Sequence, residues 1–270
     1  VKVVIDAYDG TIEPYVSAPN DPLIQAYARA FPGIFKAMDS MPADLRAHIR
    51  YPEDLFRAQS GLYATYHMDA ADVFYHREDQ WQFPAMGDDG RNSYLRHMVM
   101  RLPGEAREEF IAMTPYTPRG KDNLAAWMVA RNDGDAYGRL RVYRLSRQSL
   151  VFGPNQITNR INQDTEVSRQ VSLWDQAGSR VIRGDLLVIP IEQSLLYVQP
   201  LYLQAEGGKI PELKRVVVAY QNQVVMRETL DAGLAELFGG PTGGRGQPAI
   251  AAAPSAAGPQ PAGAVSAEFR

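Results

Sequence analysis

The segment Leu186–Gln204, LLVIPIEQSLLYVQPLYLQ, decides the fold, because it must form either a membrane-spanning helix or strands of a sheet. Its composition is apolar enough to be mistaken for a membrane span. A spanning helix needs about 20 consecutive apolar residues without interruption. Here Pro190 and Pro200 lie inside the segment, and Glu192-Gln193-Ser194 divides it into two short apolar pieces. The pattern therefore predicts two strands joined by a turn, and no transmembrane segment.

Helices are predicted elsewhere from capping residues and from apolar spacing. Asp21-Pro22 is a typical helix start, with Asp as the N-cap and Pro at the first helical position. Asp164 and Thr229 are placed to cap two later helices. The predicted helical regions are residues 21–67, 156–176 and 229–238.

The other apolar segments are short and separated by turn signals, which favours strands. Val1–Val16 is expected to form a β-hairpin with a two-residue turn at Asp9-Gly10. Further strands are predicted at Val73–Tyr75, Met98–Leu102, Ala125–Ala130, Leu140–Leu145, Leu213–Tyr220 and Val224–Arg227. Because strands and helices come in clumps, we expect an α+β fold with a largely antiparallel sheet.

Composition divides the chain into a globular part and a tail. Residues 1–238 are predicted to form one globular α+β domain, with 21–67 as a candidate helical subdomain. Residues 239–270 contain 7 Gly, 5 Pro and 9 Ala, and only three charged residues. Such a segment buries too little apolar surface to offset the entropy of ordering it, so we expect it to be disordered.

Charge and cysteine content exclude several kinds of site. The formal net charge is −3, which gives no electrostatic support for nucleic-acid binding. Cysteine is absent, so disulfides, thiolate nucleophiles and cysteine-based zinc sites are excluded. No phosphate-binding Walker pattern and no Gly-x-Gly-x-x-Gly motif occur, so no cofactor is predicted.

A metal site is the main chemical hypothesis to weigh. His67 and Asp69 are followed by His76 and Glu78, and imidazole with carboxylate suits zinc, iron or manganese. The eight residues between the two histidines match no compact ligand pattern, and no third ligand is indicated. We therefore predict no metal site, and retain His67, His76 and Glu78 as weak candidates.

Other candidates favour ordinary structure over chemistry. Arg119-Gly120-Lys121 could contact an anion, but a solvated turn is the simpler interpretation. Glu53-Asp54 and Glu108-Glu109 are interpreted as surface charges, because neighbouring residues on a helix point apart. Tyr197, Tyr202 and Trp174 could line a ligand groove, although such spacing is more typical of a core.

Several long strings resemble one known family. They include AYDGTI, YPEDLFRAQ, FGPNQI, INQDTEVSRQVSLWDQAGSRVIRGDLLVIP and PELKRVVVAY. Together they resemble the C-terminal part of the uncharacterised protein family UPF0182, over about residues 1–238. The resemblance implies a bacterial cell-membrane protein with several N-terminal transmembrane helices, followed by a large soluble region on the extracytoplasmic side. It implies no reaction and no catalytic residues.

Two classes of function remain open from the sequence. The first is a non-enzymatic extracytoplasmic binding or assembly module, attached to the membrane-embedded part of the same parent protein. It could also form a homo-oligomer or bind an envelope protein. The alternatives are a metal-dependent hydrolase that uses His67, His76 and Glu78, and the lid domain of a transporter. The sequence favours the first, with no biochemical reaction predicted and no nucleic-acid partner.

Overall fold

The computed structural model describes residues 1–86, 92–146, 150–176, 178–191, 194–239 and 266–269. It divides into two compact units. The smaller unit comprises Val1–Arg50 with Asp133–Asp135, and the larger comprises Tyr51–Asn132 with Ala136–Arg270. The boundary falls inside the candidate subdomain 21–67, so the last helix of that region belongs to the larger unit.

Helices occur in all three regions where the sequence predicts them. The α-helices are α1 Pro22–Ala30, α2 Ala43–Ala47, α3 Glu53–Tyr66, α4 Ala71–His76, α5 Pro154–Gln163, α6 Thr165–Trp174 and α7 Leu230–Phe238. The three predicted caps are confirmed. The side chains of Asp21, Asp164 and Thr229 accept hydrogen bonds from the backbone N–H groups of Leu23, Val167 and Ala232. Two short 3-10 helices lie at Met38–Ser40 and Gly134–Ala136.

The strands form sheets that are antiparallel apart from one short pairing. In the first half of the chain they are β1 Lys2–Ile5, β2 Ile12–Val16, β3 Lys36–Ala37, β4 Trp81–Gln82, β5 Ala85–Met86, β6 Asn92–Ser93, β7 Arg96–Arg101, β8 Glu108–Pro118 and β9 Ala126–Arg131. In the second half they are β10 Leu140–Arg144, β11 Ser179–Arg183, β12 Leu187–Ile191, β13 Ser194–Ala205, β14 Glu212–Tyr220, β15 Gln223–Arg227 and β16 Ser266–Phe269. These elements confirm the predicted α+β fold.

The two strands predicted in the segment Leu186–Gln204 are confirmed, and residues 192–193 of the predicted turn lie outside the described residues. β12 and β13 form an antiparallel pair in which Pro190 lies opposite Leu195. β13 continues to Ala205, and β11 pairs with its second part on the same side as β12. β14 pairs along the other side of β13. No helix in the part of the chain that the structure describes is long and apolar enough to cross a membrane.

Pro200 is tolerated in this long strand because of where its neighbours meet. β12 pairs with residues 194–198 of β13, and β11 pairs with residues 201–205, so Pro200 lies at the junction. The Gly184 N–H donates to the Pro200 carbonyl at 2.8 Å. A Cβ at Gly184 would lie 2.6 Å from the Pro200 ring, so this close approach requires glycine.

The larger unit is layered, with two sheets sharing one core. Ile111 of β8 and Val129 of β9 lie in the same hydrophobic cluster as Tyr197 of β13 and Val217 of β14. Ile157 and Ile161 of α5 complete this core. Because strand side chains alternate, each sheet has a second face that also needs cover.

Helices cover those second faces. Ala112 and Tyr116 of β8 pack in a cluster with Phe56 and Ala64 of α3. Val198 of β13 and Val218 of β14 pack in another cluster with Leu237 of α7. The order of layers is therefore α3, the first sheet, the shared core with α5, the second sheet, and α7.

Three local predictions were wrong. Val73–Tyr75 lies in α4, because three apolar residues are too few to distinguish helical from strand periodicity. The loop between β1 and β2 spans residues 6–11, although Gly10 has the expected positive φ of 79°. Glu108-Glu109 is the start of strand β8 and does not lie on a helix.

The C-terminal stretch 239–270 lies mostly outside the described residues. Gly239 is the C-cap residue of α7. Ser266–Phe269 forms the antiparallel edge strand β16 beside β10.

Candidate functional site

His67 is the one metal candidate that the fold buries. It lies at the C-terminal end of α3, and 2% of its side chain is exposed. Its ring stacks on the Trp81 indole with 3.7 Å between ring centroids. Tyr63, one helical turn earlier, lies against both rings. His67 is therefore held within an aromatic cluster.

The two ring nitrogens of His67 have different surroundings. Nδ1 lies 3.1 Å from the Tyr63 carbonyl oxygen, so it carries the proton and donates. Nε2 has no hydrogen-bond partner and lies 3.8 Å from the nearer Asp79 carboxylate oxygen. Burial lowers the pKa of His67, and the Tyr63 carbonyl and the Asp79 charge oppose this only in part. The neutral imidazole is therefore the favoured form.

Arg144 keeps positive charge beside the same cluster. Its guanidinium donates to the Tyr63 hydroxyl at 3.2 Å and to the His67 carbonyl at 3.3 Å. It also lies 5.8 Å from the Trp81 ring centroid, within cation–π range. A cation in this position disfavours a second positive charge on His67, which again favours the neutral ring.

His76 and Glu78 do not join His67. His76 ends α4, is exposed, and its Nδ1 lies 2.9 Å from the Asp72 carbonyl oxygen of its own helix. Glu78 is exposed just beyond this helix. Among the described residues, no three His, Asp or Glu side chains come together in a way that could hold a metal ion.

The Arg119-Gly120-Lys121 segment is a turn after β8. The Arg119 side chain donates to the Gln80 amide oxygen at 3.1 Å, and its backbone N–H donates to the Gln80 carbonyl at 2.8 Å. Gly120 has a positive φ of 73°, which a glycine adopts without strain. The segment therefore has a structural explanation as a turn.

Tyr197 is part of the shared core. Its hydroxyl donates to the Phe152 carbonyl at 2.5 Å, and the ring is buried. Trp174 is only partly buried, with the Arg215 guanidinium 5.5 Å from its ring centroid. Tyr202 is also partly buried.

The sequence interpretation missed a buried ion-pair network on the first sheet. Arg131 of β9 forms two hydrogen bonds with the Glu109 carboxylate of β8, one of them at 2.7 Å from Nε. It also donates to Glu105 at 3.1 Å, and Arg141 of β10 donates to the same Glu105 oxygen at 2.7 Å. Glu109 and Arg131 are both buried. The interpretation of Glu109 as a surface charge was therefore wrong.

The charges in this network satisfy one another. The Glu109 carboxylate raises the pKa of Arg131 despite burial, so the guanidinium stays charged. Burial raises the pKa of Glu105, but hydrogen bonds from Arg141 and Arg131 outweigh it, and the net shift is downward. A bidentate pair between neighbouring strands fixes their register. The network therefore has a structural role, which is to hold β8 and β9 together.

A third feature is an exposed apolar stripe on α3. Leu55, Leu62 and Tyr66 follow at intervals of seven and four residues, so they lie on one line along the helix. They are 46% to 67% exposed, although Phe56 and Ala64 of the same helix are buried against the first sheet. The Phe74 ring of α4 lies 5.4 Å from the Tyr66 ring and extends the stripe. We call Leu55, Leu62, Tyr66 and Phe74 the α3 stripe.

Comparison with known proteins gives consistent matches. The profile of the uncharacterised protein family UPF0182 matches residues 1–174. A UPF0182 protein of Geobacter sulfurreducens is 54% identical over 241 residues, which is 89% of this chain. One of Bradyrhizobium diazoefficiens is 55% identical over 241 residues, or 88% of the chain. One of Geobacter sp. strain M21 is 51% identical over 271 residues, or 99% of the chain.

These relatives are much longer than the matched region. The chain spans 27%, 26% and 30% of their respective lengths. No solved structure matches the chain. The predicted family is confirmed, and the chain belongs to the uncharacterised protein family UPF0182.

Proposed function

We propose that this chain is a binding or assembly module on the extracytoplasmic side of the membrane, docked on the membrane-embedded part of a larger protein. The α3 stripe is the observation that carries the proposal.

The apolar arc of α3 is wider than the sheet beneath it can cover. Phe56 and Ala64 pack against the first sheet, whereas Leu62 and Tyr66 project from the helix into solvent. Covering exposed apolar surface contributes about 25 cal/mol for each Å² removed from water. Contiguous apolar patches on soluble proteins commonly mark interaction sites. A stripe along one helix fits a groove or a second helix.

The length of the relatives supports a partner within the same polypeptide. This chain matches about 30% of the Geobacter sp. strain M21 relative, which leaves about 70% beyond the match. The family resemblance implies that this remainder includes transmembrane helices. A contact within one polypeptide has a high effective concentration, so a modest apolar stripe can suffice.

Among the residues that the structure describes, no geometric observation favours the hydrolase alternative. His67 is buried against Trp81, and His76 and Glu78 lie exposed at and beyond the end of α4. A transporter lid would dock through the same α3 stripe as the proposed module. The two hypotheses therefore differ in what docking does, and not in which surface makes the contact.

Single cysteines test both the location and the contact, because the chain has none of its own. In the full-length strain M21 relative, with native cysteines replaced, one cysteine is placed at the position aligned with Leu62. A control cysteine is placed at the position aligned with Leu213, which is exposed near the start of β14. Labelling with a membrane-impermeant maleimide is compared between intact spheroplasts and the isolated 270-residue chain.

We expect the Leu213 position to label in intact spheroplasts, because the module lies outside. We expect the Leu62 position to label at least about tenfold more slowly in the relative than in the isolated chain, because the α3 stripe is covered. Labelling of Leu213 only after permeabilisation would refute the location. Equal labelling of Leu62 in both proteins would refute docking through α3.

A further inference from the structure

The hairpin β1–β2 has one face of mixed polarity, with Lys2, Val4, Glu13 and Tyr15, that is engaged within the smaller unit. Lys2 lies opposite Tyr15, and Val4 opposite Glu13. The Tyr15 hydroxyl and the Lys36 ammonium both donate to Glu13, each at 2.5 Å. The Lys2 ammonium donates to the Arg50 carbonyl at 2.8 Å. This face is therefore engaged by its own unit.

The opposite face of the same hairpin is apolar and exposed. Val3 lies opposite Pro14, and Ile5 opposite Ile12, so the four side chains share one face. Val3, Ile5 and Ile12 are 54% to 62% exposed. None of the four residues carries a charge. We call Val3, Ile5, Ile12 and Pro14 the hairpin face.

An ordinary amphipathic hairpin turns its more apolar face inward. Here the more apolar face, with Val3, Ile5 and Ile12, is the exposed one. A two-stranded hairpin is marginally stable by itself. Its third strand, β3, contributes only Lys36–Ala37. In the smaller unit the only buried hydrophobic side chains are Tyr15 and Met41, among the residues described. The smaller unit therefore does not cover the hairpin face, although its apolar side chains are suited to burial.

The outer edge of β1 is a second unsatisfied feature. In the sheet order β1-β2-β3, β1 is terminal, and no other described strand pairs with its outer side. A strand edge with no described strand beside it, next to an apolar face, is suited to an added strand, because main-chain hydrogen bonds and side-chain burial then form together. A strand or sheet edge is therefore a better occupant than a helix.

We propose that the hairpin face and the β1 edge bind a β-strand segment from the polypeptide that UPF0182 members carry beyond the region matched by this chain. This inference rests on the proposed function, and it names a second contact of the same module. The strain M21 relative has about 70% of its length available for that segment, since this chain spans 30% of it.

The size of the surface favours that occupant over a second copy. Stable interfaces between separate molecules usually involve about 20–30 residues on each side. The hairpin face offers four side chains and the short edge of β1. So small a surface is adequate within one polypeptide, where no translational entropy is lost on contact.

Cysteine labelling at Ile5 tests the inference, with Ile210 as the matched control. Both are exposed isoleucines, and Ile210 is 83% exposed outside the strands. In the isolated chain we expect Ile5→Cys and Ile210→Cys to label within about threefold of each other. At the aligned positions of the full-length strain M21 relative, we expect Ile5 to label at least about tenfold more slowly and Ile210 to be unchanged.

A charge substitution gives an independent measurement. Ile5→Glu should leave the unfolding midpoint of the isolated chain unchanged, because the side chain is exposed there. In the full-length relative it should shorten the protease half-life of the hairpin region at least about fivefold, whereas Ile210→Glu should not. If Ile5→Glu alters neither protein, and the aligned cysteine labels freely, the inference is overturned.

Two other outcomes are distinguishable. Protection of Ile5→Cys that grows with the concentration of the isolated chain would identify a second copy as the occupant, and would overturn the inference. If the Leu62 position is protected in the relative and the Ile5 position is not, the hairpin contact is refuted while the proposed function stands. If the Leu62 or Leu213 measurement gives its contrary result, the proposed function falls by that measurement.

Discussion

The sheets of the two units differ in whether their apolar side chains are buried. In the larger unit, Ile111 and its neighbours on both sheets are buried between layers, and helices cover the outer faces. In the smaller unit, the hairpin buries Tyr15, whose hydroxyl donates to Glu13, and leaves Ile5 and Ile12 exposed. The same residue types and the same strand pattern occur in both. The difference shows that amphipathic strands specify which side chains share a face, while the neighbouring layer decides whether that face is buried.

Ion pairs give the largest expected contrast. Replacing Glu109 with Ala leaves the buried Arg131 guanidinium without its bidentate partner, which should lower the free energy of unfolding by about 3–5 kcal/mol. The matched change is Lys36→Ala in the smaller unit, because the Lys36–Glu13 pair is solvent-exposed and Glu13 keeps the hydrogen bond from the Tyr15 hydroxyl. That change should leave the denaturation midpoint nearly unaltered. Urea denaturation of both variants measures the contrast, and equal losses would contradict it.

Truncating isoleucine side chains tests the same contrast without changing the charge of the protein. Ile111→Ala in β8 removes a fully buried side chain and should cost about 2–5 kcal/mol, because a cavity remains. Ile5→Ala in β1 removes an exposed side chain and should change stability by less than about 0.5 kcal/mol. Guanidinium denaturation followed by tryptophan fluorescence is the measurement. A substantial loss for Ile5→Ala in the isolated chain would mean that the hairpin face is already covered there.

A pH dependence from His67 is the smallest expected effect. Burial places the pKa of folded His67 below its ordinary value of 6.5. The folded state thus binds the proton less readily than the unfolded state. The contribution of His67 to the free energy of unfolding is therefore fully present above pH 6.5. It is lost as the pH falls below 6.5 towards the lower pKa of the folded state.

Thermal unfolding between pH 7.5 and pH 5 checks this expectation. His67→Gln should flatten the fall in stability over that range relative to the unsubstituted chain, because it removes the buried imidazole. An unchanged pH profile for His67→Gln would show that the buried ring does not contribute to it.

Local sequence signals predicted much of the fold. Asp21, Asp164 and Thr229 cap helices because a side-chain oxygen next to a run of helix formers acts within one turn. Pro190 and the polar residues 192–194 predicted two strands where hydropathy alone suggests a span, and β12 and β13 confirm the two strands. β8 was not predicted, because a strand buried on both faces shows no alternation of polar and apolar residues.

The candidate sites were less predictable from sequence. The sequence grouped His67, His76 and Glu78 by proximity along the chain, but α4 carries His76 to an exposed helix end. The Arg131–Glu109 pair joins residues 22 positions apart, and no local pattern marks it. One signal was available, since Glu109 begins the apolar run of β8 and an inward charge on a strand needs a partner.

The order of residues by itself determined the strand pair of 186–204, the three helix caps and membership of UPF0182, because each depends on neighbours within a few positions or on the string of residues itself. Only the tertiary structure decided that one side of α3 is covered while Leu62 and Tyr66 are not, that Glu109 is buried, and that the hairpin exposes its apolar face. Burial depends on which distant segments pack against a surface. The hydrophobic periodicity of a helix or strand contains no information about those segments.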